Sequence, residues 1–422
     1  MRALIEHYEV APMPDASARG LDVTASWITP EHLSAAHLDA LVRALSNVLA
    51  TDVAEFTYAE IIDGLPTAES FTEFRSFYPA EGEHPACHHH RLCEGALEAA
   101  REARARFDPL TLRFDPQVVA QVVVVVKVLQ AFQDQHEGSR SFSLRLVELV
   151  AVSLHQIAVR LYETTESPHR AEYQSWWESW RERHKDAIGI GQVYAISFPP
   201  VPFFHCSYHR PFDQFPRGKA DIVGYWAEAK ILGGVALFNR GPSELECNDL
   251  LIHGNLRMGP HTIYPPTAEQ WDALVAFLSW DATAAPMHND DAPPPCPLPL
   301  HATRDNLPRY TPYFAMKYQH IFRDRFAFRL PARYEPPAGR CVQGPTDVSY
   351  PECEDWVWII LSMGQQAGGE AIDEEEMERR KNVLRACQPG NPYSYAPWPE
   401  EILEGEGMNR DGSGAVNQSY TW

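Results

Sequence analysis

The chain is expected to adopt an α+β fold, with a helical N-terminal half packed on a central, mostly antiparallel strand-rich region. Three observations predict it. Apolar residues recur at helical spacing through the first half, short β-like runs punctuated by Gly and Pro crowd the middle, and no segment repeats along the chain.

In the first half, "TPEHLSAAHLDALVRALSNVLA" places Leu33, His37, Leu38, Leu41, Leu45 and Leu49 on one helical face, with Thr29 as N-cap and Pro30 at the first turn. A loop-rich stretch is read from there to about Cys93, and "EGALEAAREARARF" returns to helix. Five consecutive valines make Asp115 to Gln135 ambiguous, but its length and Asp-Pro start favour a buried helix. Ser141 to Glu163 is a clearer helix, and Ser167-Pro168 opens another. "IGIGQVYAISF", "ADIVGYWAEAKILGGVALF", "DLLIHGN" and "HTIYPP" then read as strands, with Gly233-Gly234 as a tight corner between two of them. Thr267 and Gln270 form a capping-box pattern ahead of "WDALVAFLSW". A charged helix from Asp373 to Cys387 closes the patterned part. The expected organisation is one compact domain. It comprises a mainly helical region 1–187, a strand-rich core 188–284, a Pro-rich linker 285–300, a mixed region 301–404 and a disordered tail 405–422.

Composition limits the function. At 422 residues with 45% apolar and 22% charged residues, the chain has globular usage and room for a large core. A formal charge of −21 argues against a surface that grips nucleic acid throughout, so DNA is not an expected partner. The N-terminus has no apolar signal core, and the run Val118 to Phe132 is broken by Gln121 and Lys127. We therefore expect a cytoplasmic chain without a membrane partner, whose eight cysteines are free thiols.

Signatures for phosphate loops, dinucleotide loops, nucleophile elbows, HExxH zinc helices and CxxC pairs are absent, and no cofactor is expected. "HPACHHHRLC", His84 to Cys93, concentrates imidazoles and thiols, but its spacing matches no regular tetrahedral pattern and it reads as a polar loop. In "FHCSYHRPFDQFPRGKAD" the candidates are His205, His209, Arg210 and Asp213, as a ligand-binding loop, a metal edge of a hydrolase, or a packed structural loop. Trp176, Trp177 and Trp180 beside basic residues, with Arg101, Arg104 and Arg106, suit either an RNA-facing surface or core packing. The densest candidate is "GYWAEAKILGGVALFNRGPSELEC". Tyr225, Trp226 and Glu228 lie on its incoming strand, with Trp226 and Glu228 on one face by period two. Glu244, Glu246 and Asp249 cluster in the turn after it. Clustered carboxylates serve as a proton acceptor, as a cradle for a guanidinium, or as a solvated turn.

The block "ADIVGYWAEAKILGGVALFNRG…ECNDLLIHG" with "TIYPPTAEQWDALVAFL", roughly Ala220 to Leu278, resembles fungal proteins that include the arginine-containing cyclodipeptide synthases. That resemblance implies a tRNA-dependent transferase of secondary metabolism, joining arginine to a second amino acid as a diketopiperazine. Its partners would be arginyl-tRNA and a second charged tRNA. The family's DDxxE motif is missing: Asp290-Asp291 is followed by Pro294 where Glu should stand, and "PSELE" keeps only the final glutamate. Carried over on that placement, Glu246 is the catalytic base, with Asp249 beside it. Glu228, Glu244, Tyr225 and Trp226 would bind substrate, and a non-catalytic ligand-binding or interaction scaffold is the alternative.

Overall fold

A computed structural model describes residues 30–74, 83–112, 128–189, 199–208, 212, 215–243, 246–256, 259–281, 293–323, 348–388, 391 and 393–394. Helix α1 (Ala35–Leu49) starts later than the Thr29 cap predicts: Pro30–His32 is a separate short turn, and Ser34 Oγ accepts from the His37 N–H. Where the sequence reads as loop, α2 (Asp52–Asp63) and α3 (Ala68–Phe74) form instead. The apolar stripe of α2 is masked in the sequence because Thr57, Glu60 and Asp63 are buried alongside Ala54, Tyr58 and Ile61. A helical period is invisible when polar residues share the inner face. Glu60 is neutralised by the buried Lys230, and Thr67 donates to it from both N–H and Oγ at 2.8 Å.

Helices α4 (Ala96–Ala105), α5 (Arg140–Thr164), α6 (Pro168–Gly189) and α7 (Lys219–Leu232) complete the helical layer. By length and composition α5 could cross a membrane, yet 78% of its apolar window is buried in the protein, as in a core helix. Trp180 is buried, and Trp176 and Trp177 pack against the same core. Arg101 and Arg104 are paired to Glu55, and Arg106 to Glu102. The core-packing account of these residues is the one the geometry matches.

Strands β1 (Val235–Asn239), β2 (Leu250–His253), β3 (Ile263–Tyr264) and β4 (Ile321–Phe322) form one antiparallel sheet in the order β3-β2-β1-β4. Val235 stands opposite His253, and Phe238 opposite both Leu250 and Phe322. With the helices this is the α+β class. Helix α8 (Ala268–Ser279) carries the expected Thr267–Gln270 capping box and docks on α1, where Asn47 Nδ2 donates to Phe277 O at 2.9 Å and Trp280 O at 2.8 Å. After α9 (Pro312–Tyr318), the helices α10 (Cys353–Ala367) and α11 (Glu374–Ala386) close a smaller core of Tyr350, Ile359, Met377 and Leu384. The other face of α10 exposes Val357, Ile360, Leu361 and Met363. Among the described residues the cysteines are free thiols. The runs 190–198 and 113–127, the first half of the linker (285–292) and the tail lie outside the described residues.

The main correction concerns "ADIVGYWAEAKIL". It is helix α7 and not a strand, and Gly233 is its left-handed C-cap (φ 95°) instead of a hairpin corner. All thirteen residues from Ala220 to Leu232 are buried, so hydropathy alternates at neither period and the sequence gives no phase. Trp226 and Glu228 are therefore about 200° apart around a helix axis and do not share a face. The close packing of α7 on α5 depends on Gly224, where an added Cβ would sit 2.6 Å from the His155 ring. Gly224→Ala is expected to cost about 1–3 kcal/mol in urea unfolding, because His155 is itself held by Asp221.

Candidate functional site

Helix α7 carries a line of polar groups into the core. His155 Nε2 on α5 lies 2.9 Å from Asp221 Oδ1, and its Nδ1 lies 3.9 Å from Glu228 Oε2. Glu228 accepts from the Ala236 N–H at 2.7 Å and is the counter-ion of Arg323. Burial pushes the Glu228 carboxyl up, against the pull of Arg323 and His155. A second pair lies alongside: Arg240 Nη2 donates to Glu148 Oε1 and to the Arg323 carbonyl, each at 2.6 Å. Burial opposes ionisation of Glu148, but Arg240 and Arg145 outweigh it and hold the carboxyl below its usual range. Carboxylates in this region do bind guanidinium groups, but those of Glu228 and Glu148 bind the chain's own arginines. Glu228, Tyr225 and Trp226 are buried and unavailable to a substrate.

The loop before α7 is equally committed. His205 is buried; its Nδ1 accepts from the Ser207 N–H at 3.1 Å, and its Nε2 donates to the His253 carbonyl at 3.2 Å. Both ring nitrogens are engaged within the protein, which leaves no lone pair of His205 over for a metal in this arrangement. Tyr208 stacks on Tyr225 with centroids 4.5 Å apart, and its hydroxyl lies 2.9 Å from His253 Nδ1. Ser207 Oγ lies 3.3 Å from His253 Nε2. This resembles a serine–imidazole pair, but its chemistry is weak. Burial, reinforced by His261, pushes His253 down to about 3, and its second nitrogen faces a neutral phenol instead of a carboxylate. Such an imidazole is a poor proton acceptor at neutral pH. The cluster anchors the end of β2 to α7. His209, Arg210, Asp213 and Glu244 lie outside the described residues.

The acidic turn is the exposed part of the region. Gly241 (φ 58°) lets the chain fold under Glu246, whose carboxylate would meet a Cβ there at 2.3 Å. Glu246 accepts from Ser243 Oγ at 3.1 Å and Asn248 Nδ2 at 2.8 Å, and its N–H donates to the Arg240 carbonyl. Three residues on, Asp249 Oδ1 lies 3.0 Å from Arg140 Nη2, and the Arg140 guanidinium stands 5.0 Å from the Trp271 ring centroid. Carboxylate, guanidinium and indole thus form an open cradle whose ion pair is more than half exposed on both sides.

The structure therefore leaves Glu246 and Asp249 exposed on one turn and places Glu228, Tyr225, Trp226 and His205 in the interior. Sequence reasoning missed Arg140 and Trp271, which come from the start of α5 and from α8. Their only sequence signal is an unremarkable Arg after a Ser cap and a Trp in a helix. Fold and site define an α+β protein with a buried ionic core under an exposed acidic turn. No protein-family model, no curated protein and no solved structure matches the chain.

Proposed function

We propose that the chain is an aminoacyl transferase of the cyclodipeptide-synthase type, joining arginine delivered on tRNA to a second amino acid. The observation that supports this reading is the Asp249–Trp271 cradle, which already holds a guanidinium three positions along the same turn from Glu246. An exposed ion pair contributes about 0–1 kcal/mol, so a substrate arginine can displace Arg140 at little cost. Carboxylate and indole are the two surfaces a guanidinium recognises. Within the resembling block α7 packs on β1 and β1 pairs with β2, so the turn joins two strands of the sheet.

In this mechanism Glu246 takes a proton from the ammonium of one aminoacyl group. The freed amine attacks the ester carbonyl of the other, a C–N bond forms, and the ester C–O bond breaks. The departing tRNA oxygen leaves as a hydroxyl. A second attack of the same kind, by the dipeptide's free amine on its own ester, closes the ring. No nucleotide is consumed, because the ester arrives activated.

The test is product analysis by mass spectrometry after incubation with arginyl-tRNA and a mixture of charged tRNAs. An arginine-containing diketopiperazine is expected. Glu246→Gln should lower its formation about 100-fold or more, and Asp249→Asn or Trp271→Ala should shift use away from arginine. No product, with an established synthase as positive control, overturns the reading and leaves the scaffold alternative, whose supporting feature is the exposed apolar face of α10.

A further inference from the structure

We propose that Asp63, His89, Cys93 and His169 bind one divalent transition-metal ion of the zinc type, which fastens three segments of the helical layer together. The four residues come from separate places. Asp63 ends α2, His89 and Cys93 flank the turn after Pro85–His88, and His169 is in the first turn of α6. Folding brings one donor atom from each within 4.8 Å of all the others. Zinc bonds of about 2.0–2.3 Å at tetrahedral angles place ligand atoms roughly 3.3–3.8 Å apart, so a small contraction seats the ion.

The second observation is the orientation of the two imidazoles. His89 Nδ1 lies 3.1 Å from the Pro66 carbonyl, which can only accept, so Nδ1 carries the proton and Nε2 offers a lone pair. His169 Nδ1 lies 3.0 Å from Glu172 Oε2, which fixes the same tautomer and turns its Nε2 toward Cys93 Sγ at 3.2 Å. A carbonyl or carboxylate behind each ring is the arrangement that orients metal-bound histidines.

The third observation is an electrostatic conflict. His89 Nε2 and Asp63 Oδ2 are 2.9 Å apart, yet neither atom has a hydrogen bond of acceptable geometry. Both residues are more than nine-tenths buried. A lone pair facing a carboxylate oxygen in the interior is repulsive unless a second proton on His89 or a metal cation relieves it, and the Cys93 thiol and His169 Nε2 converging on the same point favour the metal. The donor set of one oxygen, two nitrogens and one sulfur selects zinc over calcium or magnesium, which do not take thiolate. Four protein ligands describe a closed, fold-stabilising centre instead of an open catalytic one. The exposed Cys93 leaves an entry path for the ion.

The experiment uses the full chain purified without chelator. Elemental analysis is expected to give about one zinc per chain. The cobalt-substituted protein should show a thiolate-to-cobalt charge-transfer band that Cys93→Ser abolishes. Because Cys93 is exposed, that variant should keep its far-UV circular dichroism while losing the metal. Glu172→Gln, which removes only the carboxylate behind His169, should weaken zinc affinity roughly 10-fold or more. Absence of stoichiometric metal, a metal content unchanged in Cys93→Ser and His169→Gln, or a cobalt spectrum without the thiolate band would each overturn the proposal. Alkylation of Cys93 that is equally fast before and after chelation would do so too, and would recast Cys93–His169–Glu172 as a thiol nucleophile with its base. None of these outcomes depends on diketopiperazine synthesis.

Discussion

Lowering the pH from 7.5 to 5 is expected to destabilise the fold by about 2 kcal/mol through His253 and by a similar amount through His261. Burial is the leading cause in both: it pushes His253 down to about 3 and His261 down to about 4, from an ordinary value of 6.5. Each folded pKa lies below the unfolded one, so the unfolded chain takes up protons first. The stabilisation is complete above pH ~6.5 and is lost as the pH falls toward the folded values. Urea unfolding between pH 7.5 and 5 reads this directly. The slope of stability against pH should approach two protons, and His253→Gln should reduce it by about one proton whatever its effect on absolute stability. A flat profile across that range would contradict the burial assigned to β2 and its neighbouring loop. Glu148 acts in a lower window. Its depressed pKa means that its contribution persists above the usual carboxylate range and disappears only as the pH falls through its folded value.

Glu228→Ala should be the most damaging single substitution, at about 3–5 kcal/mol. It strands the buried Arg323 guanidinium and removes the acceptor of the Ala236 N–H at the start of β1. Arg323→Ala should cost a comparable amount by leaving Glu228 without its counter-ion. The double variant should cost much less than the sum, because neither charge is then left alone in the interior. Additive losses in a double-mutant cycle by chemical denaturation would show that the pair does not couple α7 to β4. By contrast, Glu246→Gln should change stability by less than about 0.5 kcal/mol, as an exposed turn residue does. The two glutamates, eighteen positions apart, are thus separated experimentally: one acts on the fold, the other on the proposed chemistry.

Parts of this architecture were legible before any coordinates. Helix α8 was readable to its cap, because Thr267 and Gln270 act within one turn and depend on nothing distant. Strands β1 and β2 were readable because β-branched and apolar runs end at Gly and Asn. The charged helix α11 sits where its composition puts it, with Asp373 as N-cap and Cys387 as C-cap. Helix α7 was not legible. A segment buried on every side has no polar phase, and Gly233-Gly234 serves a helix C-cap as well as a hairpin. The buried charges misled for a related reason: a glutamate in a sequence looks solvent-facing or catalytic, and Arg323, nearly a hundred positions away, cannot be seen beside it.

What the sequence by itself determined is local. It set the fold class, the Thr267-capped helix α8, strands β1, β2 and β3, and the acidic turn that carries Glu246 and Asp249 three positions apart. These follow from side chains acting on their own backbone or on neighbours a turn away. Only the tertiary structure decided which carboxylates are spent on internal arginines and which stay at the surface. It also gathered Arg140 and Trp271 around Asp249, and Asp63 and His169 around the His89–Cys93 turn. Desolvation and Coulomb attraction act through space, and the pairing of a buried charge depends on folded distance rather than on sequence separation.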